Sequence, residues 1–124
     1  MPKTELVIYQ EATGNVPLIQ WLDSLRPATV RNQCLARVER LEQFGYQLRR
    51  PTCDYLDDGV YELRTRRQHV NYRILYGFVG ENTVLLSHGC TKEGEIPRTE
   101  IRKARRNLDN YCENPERHTY IGEL

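Results

Sequence analysis

The sequence predicts an α+β domain, an antiparallel sheet of about four strands packed against two N-terminal helices, with a C-terminal helix. Three observations carry this. Between Gly59 and Lys92, three short segments alternate apolar and polar side chains and are separated by turn-like breaks. Upstream, apolar residues recur at helical spacing in two consecutive runs, and downstream a basic run does the same. Helices with one apolar stripe need a surface to cover, and a sheet face is the economical one.

Taken in order, Lys3 to Gln10 (KTELVIYQ) gathers Leu6, Val7, Ile8 and Tyr9 between polar ends and predicts a strand, broken at Gly14-Asn15. Asn15 and Pro17 open a first helix whose Leu18, Ile19, Leu22 and Leu25 keep to one face until Arg26-Pro27 stops it, with Trp21 at the edge of that face. A second helix runs from about Pro27 to Gln43, because Val30, Cys34, Val38 and Leu41 recur at helical spacing before Phe44-Gly45 ends it. Gln47 to Asp58 has a proline, paired acids and no apolar period, so it reads as an irregular connection; its Arg49-Arg50 pair is either a ligand contact or a solvated pair.

The three central strands are Val60 to Arg66, Val70 to Phe78 and Thr83 to Gly89. In the first, Tyr61, Leu63 and Thr65 oppose Glu62, Arg64 and Arg66; in the second, Tyr72, Ile74, Tyr76 and Phe78 oppose Arg73, Leu75 and Gly77. One face is therefore apolar and the other carries arginines. Short connections at Arg67 to Asn71 and Val79 to Asn82 favour an antiparallel meander, in which Arg64 and Arg73 meet on adjacent strands. A last helix begins near Pro97 with Ile101, Ala104, Leu108 and Tyr111 as its apolar stripe, and residues 111–124 read as an irregular or loosely docked tail.

With 124 residues, 39% hydrophobic and 28% charged, the chain supports one modest core, hence a single domain over residues 1–124. It holds no apolar run long enough for a membrane span, and Met1-Pro2-Lys3-Thr4-Glu5 leads into a strand-like segment, so a cytoplasmic protein with no membrane association is expected. Cys34, Cys53, Cys90 and Cys112 lie far apart, with no C-x-x-C pair and no zinc-type histidine spacing, so reduced thiols and no metal site are expected. The net charge of +1 hides an asymmetry. Val60 to Arg106 carries ten Lys and Arg against five Asp and Glu, and the rest of the chain eight against twelve. A local basic region in a near-neutral protein suits a polyanion, although composition alone fits a solvated helix face equally well.

The run GVYELR (Gly59 to Arg64), then NYRILYGF (Asn71 to Phe78), VLLSHGCTKEGEIP (Val84 to Pro97) and TEIRKARR (Thr99 to Arg106) resembles the phage-derived Gp49-like, HigB-type branch of the RelE superfamily. The resemblance implies a RelE-like fold and the toxin of a type II toxin–antitoxin pair. It further implies a metal-independent endoribonuclease, without cofactor, that cuts mRNA on the ribosome by attack of a ribose 2′-hydroxyl on the adjacent phosphate. The implied partners are mRNA, the ribosome and a cognate antitoxin of helix-turn-helix type; specific DNA binding by this chain alone is not expected.

Such a reaction needs a base near the hydroxyl, cations for the phosphorane and an acid for the leaving oxygen. The resemblance puts Arg73 first, as the arginine of the second strand, whose planar fork suits two phosphate oxygens; pairing to Glu62 across the strands is its other reading. Arg64 is a second phosphate or scaffold cation, and Lys92 a cation or proton donor. Glu62 is a candidate base or an orienting partner of the arginines, and His88 a proton carrier or a structural histidine. Arg66, Arg67, Arg102, Arg105 and Arg106 are candidate RNA contacts, whereas His69 and His118 receive no catalytic role. The chain departs from the family pattern after Lys92, where Glu93 and Glu95 stand in place of lysines and Ile96 in place of a capping threonine. A catalytically silent RNA- or protein-binding module of the same fold therefore stays as the alternative.

Overall fold

The computed structural model describes residues 4–124; Lys3, with which the predicted first strand begins, lies outside the described residues. In chain order the elements are β1 (Glu5–Ile8), α1 (Pro17–Ser24), α2 (Ala28–Phe44), a 3-10 turn (Gly45–Gln47), β2 (Cys53–Asp57), β3 (Val60–Arg67), β4 (Val70–Phe78), β5 (Thr83–Lys92) and α3 (Arg98–Glu113). The expected α+β architecture holds, with helix limits within a few residues of those predicted. The sheet, however, is five-stranded and mixed, in the order β1-β5-β4-β3-β2.

Two features correct the antiparallel four-strand sheet. β1 pairs parallel to β5, Leu6 opposite Val84 and Ile8 opposite Leu86. The segment expected to be irregular contains β2, antiparallel to β3. Its connection to β3 is the dipeptide Asp58-Gly59, with φ of 54° and 77°, the left-handed backbone that a two-residue hairpin requires. The short, acid-rich β2 hides its strand character because it is an edge, where charged side chains are the normal protection against further pairing.

The sheet lies between two helical layers. On one face, Leu18 and Leu22 of α1 and Val30, Cys34, Val38 and Leu41 of α2 pack on Leu63, Ile74, Tyr76, Val84 and Leu86. On the other, Ile101, Ala104 and Leu108 of α3 pack on Val7, Val60, Leu75 and Leu85. The sequence expectation of one apolar face and one arginine face is therefore half right. The second face is apolar where α3 covers it and charged beyond.

The tail is docked. Thr119 forms an isolated bridge with Tyr9, Tyr120 N–H donates to Ile8 O at 2.9 Å, and the His118 ring stacks on Tyr9 with centroids 5.2 Å apart. These bonds cover the outer edge of β1, which sequence periodicity cannot reveal because the tail pairs without forming a regular element.

Candidate functional site

The antiparallel register sets Arg64 of β3 directly opposite Arg73 of β4, as the alternation predicts. Like charges in that position repel. Two carboxylates from the same sheet face resolve the conflict. Glu62, two residues along β3, places Oε1 2.8 Å from Arg64 Nη2 and Oε2 2.6 Å from Arg73 Nε. Asp54 of β2, opposite Glu62, places Oδ2 3.7 Å from Arg64 Nη2 and accepts a hydrogen bond from Arg50 Nε at 3.0 Å. Arg73 Nη1 also donates to Gly94 O at 2.9 Å, which ties the β5–α3 loop down over the strand.

Of the two readings of Arg73, the structure shows the pairing to Glu62 across the strands. Arg73 is only 6% exposed and Glu62 only 2%. Arg64 is half-buried, and Arg66 and Lys92 are exposed on the same sheet face. Among the described residues neither Arg66 nor Lys92 has an ion-pair partner. Arg64 Nε and Asn71 Oδ1, also on this face, are buried without a hydrogen-bond partner. Cations with free donor capacity thus sit in front of a paired and buried layer.

The remaining candidates are dispersed. Arg67 turns to the opposite face and donates to Thr29 Oγ1 of α2 at 2.9 Å, because residue 67 has the parity of Leu63 and Thr65. Arg105 is engaged by Asp109 at 2.9 Å and by Asp58 O at 3.0 Å. Arg102 and Arg106 are exposed on the outer side of α3. Arg98, not singled out from sequence, pairs with Asp57 at 2.5 Å, and that guanidinium, followed by the Asp58 N–H, holds the Asp57 carboxyl below its usual range.

His88 sits beneath α3 rather than on the open face, at 2% exposure. Its Nδ1 lies 2.8 Å from Ser87 Oγ, which also accepts from Asn107 Nδ2 at 2.9 Å. Nε2 lies 3.3 Å from Glu100 Oε1 but off the hydrogen-bonding direction. Burial lowers the His88 pKa to about 4, against the attraction of Glu100 and with added repulsion from Lys103, so the ring is neutral near pH 7. Burial likewise raises the Cys90 thiol to about 11, so it carries no thiolate there.

Beside Lys92, Trp21 of α1 lies flat over Gly89 and donates from Nε1 to Thr91 Oγ1 at 3.0 Å. A Cβ at residue 89 would run into the indole, so glycine is required there. These residues, with Pro97, Thr99 and Glu100, line an open cleft of about 320 Å³. Among the described residues no group of three or more His, Cys, Asp or Glu is placed to hold a metal ion, and no helix is long and apolar enough to cross a membrane.

Sequence reasoning placed Arg64, Arg73 and Glu62 together, and missed Asp54, Asn71 and Gly94. The Asp58-Gly59 hairpin signal was available and announces a strand before β3, but a plain two-residue turn would set Tyr55 opposite Glu62; a bulge between Tyr55 and Asp57 shifts the register and brings Asp54 there instead. No local pattern announces a carbonyl acceptor such as Gly94 O. The chain matches the family described as Phage derived protein Gp49-like over residues 20–109, a span that contains every site residue discussed above. Comparison with curated proteins gives no match.

Proposed function

The chain belongs to the phage-derived Gp49-like protein family, and from that membership we propose that it is the toxin of a type II toxin–antitoxin pair, a metal-independent endoribonuclease acting on translated mRNA. One observation carries the reading. Arg64 and Arg73 stand opposite each other with Glu62 between them, while the half-buried Arg64, itself paired to Glu62 and Asp54, shares its sheet face with Arg66 and Lys92, which are exposed and have no ion-pair partner among the described residues.

In this reading the scissile phosphate lies against Arg64 and Lys92. The ribose 2′-oxygen forms a bond to phosphorus and the bond from phosphorus to the 5′-oxygen breaks, leaving a 2′,3′-cyclic phosphate and a 5′-hydroxyl. The two cations offset the charge that builds on the phosphorane oxygens. Lys92, exposed at the end of β5, supplies a proton to the leaving oxygen, and solvent takes the one from the hydroxyl, because Glu62 Oε2 is buried against Arg73 Nε and orients the arginines instead. Arg73 acts at one remove, since its guanidinium fixes Glu62 and, through Gly94 O, the loop behind Lys92. DNA, which lacks the hydroxyl, is not a substrate. A helix-turn-helix antitoxin holds the toxin off the ribosome.

A specific observation favours a second reading. Arg73, the residue the resemblance puts first, is consumed by Glu62 and Gly94 O, and Glu93 and Glu95 stand exposed beside Lys92. A silent RNA-binding module would look the same. Expression without an antitoxin, combined with mapping of message 5′ ends, separates the two. The toxin reading expects growth arrest and new 5′-hydroxyl ends, both lost in Lys92→Ala; normal growth with soluble protein, and RNA binding that weakens steeply with salt, overturns it.

A further inference from the structure

On the side of the sheet away from α3, where α2 ends and β2 begins, an open cleft of about 440 Å³ is lined by five aromatic rings. One wall is Tyr46 stacked on Phe78, centroids 4.1 Å apart and planes 15° apart, with the Tyr46 hydroxyl donating to Gly80 O at 3.0 Å. The other is Tyr55 edge-on to Tyr61 at 5.0 Å, with the Tyr55 hydroxyl accepting from Gly59 N–H at 3.0 Å. Tyr76 forms part of the buried floor. The two outer rings are 53% and 52% exposed, unusual for tyrosines already fixed at both ring and hydroxyl. Rings held in place with their faces left to solvent are preorganised for a flat partner.

The rim is cationic. Arg49 and Arg50 line the cleft and are exposed. Arg49 has no carboxylate partner among the described residues, its Nη1 donating to the Tyr46 and Leu48 carbonyls. Asp54, the acid at this rim, is already shared between Arg50 and Arg64. That sharing matters for position. Asp54 joins the cleft to the arginine site, and because β2 is the outermost strand, a single-stranded chain can cross its edge from one face to the other.

We propose that this cleft is a nucleobase subsite, which takes one unpaired base of the RNA strand whose neighbouring phosphate lies at Arg64, with Arg49 and Arg50 holding the intervening backbone. The inference rests on the reading that RNA crosses Arg64. The volume falls within the range of small-ligand pockets, and stacking on tyrosine with arginine at the phosphate is how single strands are gripped irrespective of sequence. A protein side chain would fill the apolar cleft equally well, but only an acidic segment would also answer the unpaired Arg49.

The test uses the full chain and a hexaribonucleotide blocked against cleavage by 2′-O-methylation, with affinity read by fluorescence anisotropy. Tyr46→Leu and Tyr55→Leu, both at the exposed rim, are each expected to weaken binding roughly tenfold. An abasic site at one position of the oligomer should weaken wild-type binding by a similar factor and add little in Tyr46→Leu. Independently of any variant's folding, nucleoside monophosphates should shift the NMR signals of Tyr46 and Tyr55 in the wild-type chain. If the message is cut and both leucine variants bind the oligomer like wild type, the subsite is wrong and the nuclease stands. Monophosphates shifting the two tyrosines in a chain that cuts nothing would support the subsite while the nuclease falls. Leucine variants that lose only a protein partner, or monophosphates that leave both tyrosines unmoved, overturn the subsite.

Discussion

The two faces of the sheet are built from the same strands by alternation and solve different problems. Toward α1 and α2, Leu63, Ile74 and Tyr76 join the side chains of both helices in one apolar cluster. Toward α3, that solution stops halfway. Val60, Leu75 and Leu85 lie under the helix, and next to them Asp54, Glu62, Arg64 and Arg73 form a network of charges, part of it fully buried. Apolar side chains of similar volume would stabilise that region at least as well, since desolvation cancels most of the attraction within a buried pair. The first face thus serves stability, and the second retains polar groups at a cost that a functional surface would explain.

The sharpest way to break that contrast is to remove one member of the network. Arg73→Ala should destabilise the protein by about 3 kcal/mol in urea denaturation, because Glu62 keeps only Arg64 to balance its buried charge. Arg73→Met, which restores volume without charge, should recover part of this loss. A change below about 0.5 kcal/mol for Arg73→Ala, the range of inconsequential surface substitutions, would mean that the pair holds nothing. Loss of activity in Arg73→Ala is therefore not proof of catalysis, and the exposed Lys92 is the cleaner probe.

The next effect lies under α3. His88 is neutral in the folded chain with a pKa of about 4, below its ordinary 6.5. The unfolded state therefore takes up a proton first as pH falls. Stability from this group is complete above about pH 6.5 and declines toward pH 4, by at most ~1.4 kcal/mol per pH unit. Thermal melts of wild type and His88→Gln across that window should converge as the pH drops; parallel curves would show that the histidine is not buried neutral.

Much of the fold was legible because burial writes itself into period. The helices carried their apolar stripes openly, and the alternation in β3 and β4 gave both the pairing of Arg64 with Arg73 and the face that meets α2. What was not legible depends on partners distant in sequence. β1 was read as a strand, but nothing local says it lies parallel to β5. β2 was missed because its exposed edge needs no apolar alternation. The burial of Arg73 follows from Gly94 folding back over it, a contact 21 residues away that leaves no trace in composition. For His88 the sequence left a proton carrier and a structural histidine open, because the helix that covers it comes later in the chain.

Arg64 marks the boundary between the buried and open parts of the charged face. Arg64→Ala leaves Glu62 paired to Arg73, so stability should change by less than about 1 kcal/mol. If the chain is the proposed nuclease, cleavage should nonetheless fall about 10²-fold, the typical cost of losing one donor to a developing negative charge. Single-turnover rates on a translated message, set beside a urea titration, check both halves; equal losses in each would reduce Arg64 to a scaffold residue.

The smallest effect tests the alternation itself, through two adjacent arginines that composition cannot tell apart. Arg66 is exposed on the face of Arg64, whereas Arg67 turns to the α2 side and donates to Thr29 Oγ1. If RNA lies on the α3-side face, Arg66→Ala should lower the slope of log affinity against log salt by about 0.7, the value for one phosphate contact on a single strand. Arg67→Ala should leave the slope unchanged and act, if at all, on thermal stability. Equal changes in slope would place the polyanion around the hairpin tip, outside either face, and the division of labour between the two faces would then no longer describe the proposed RNA surface.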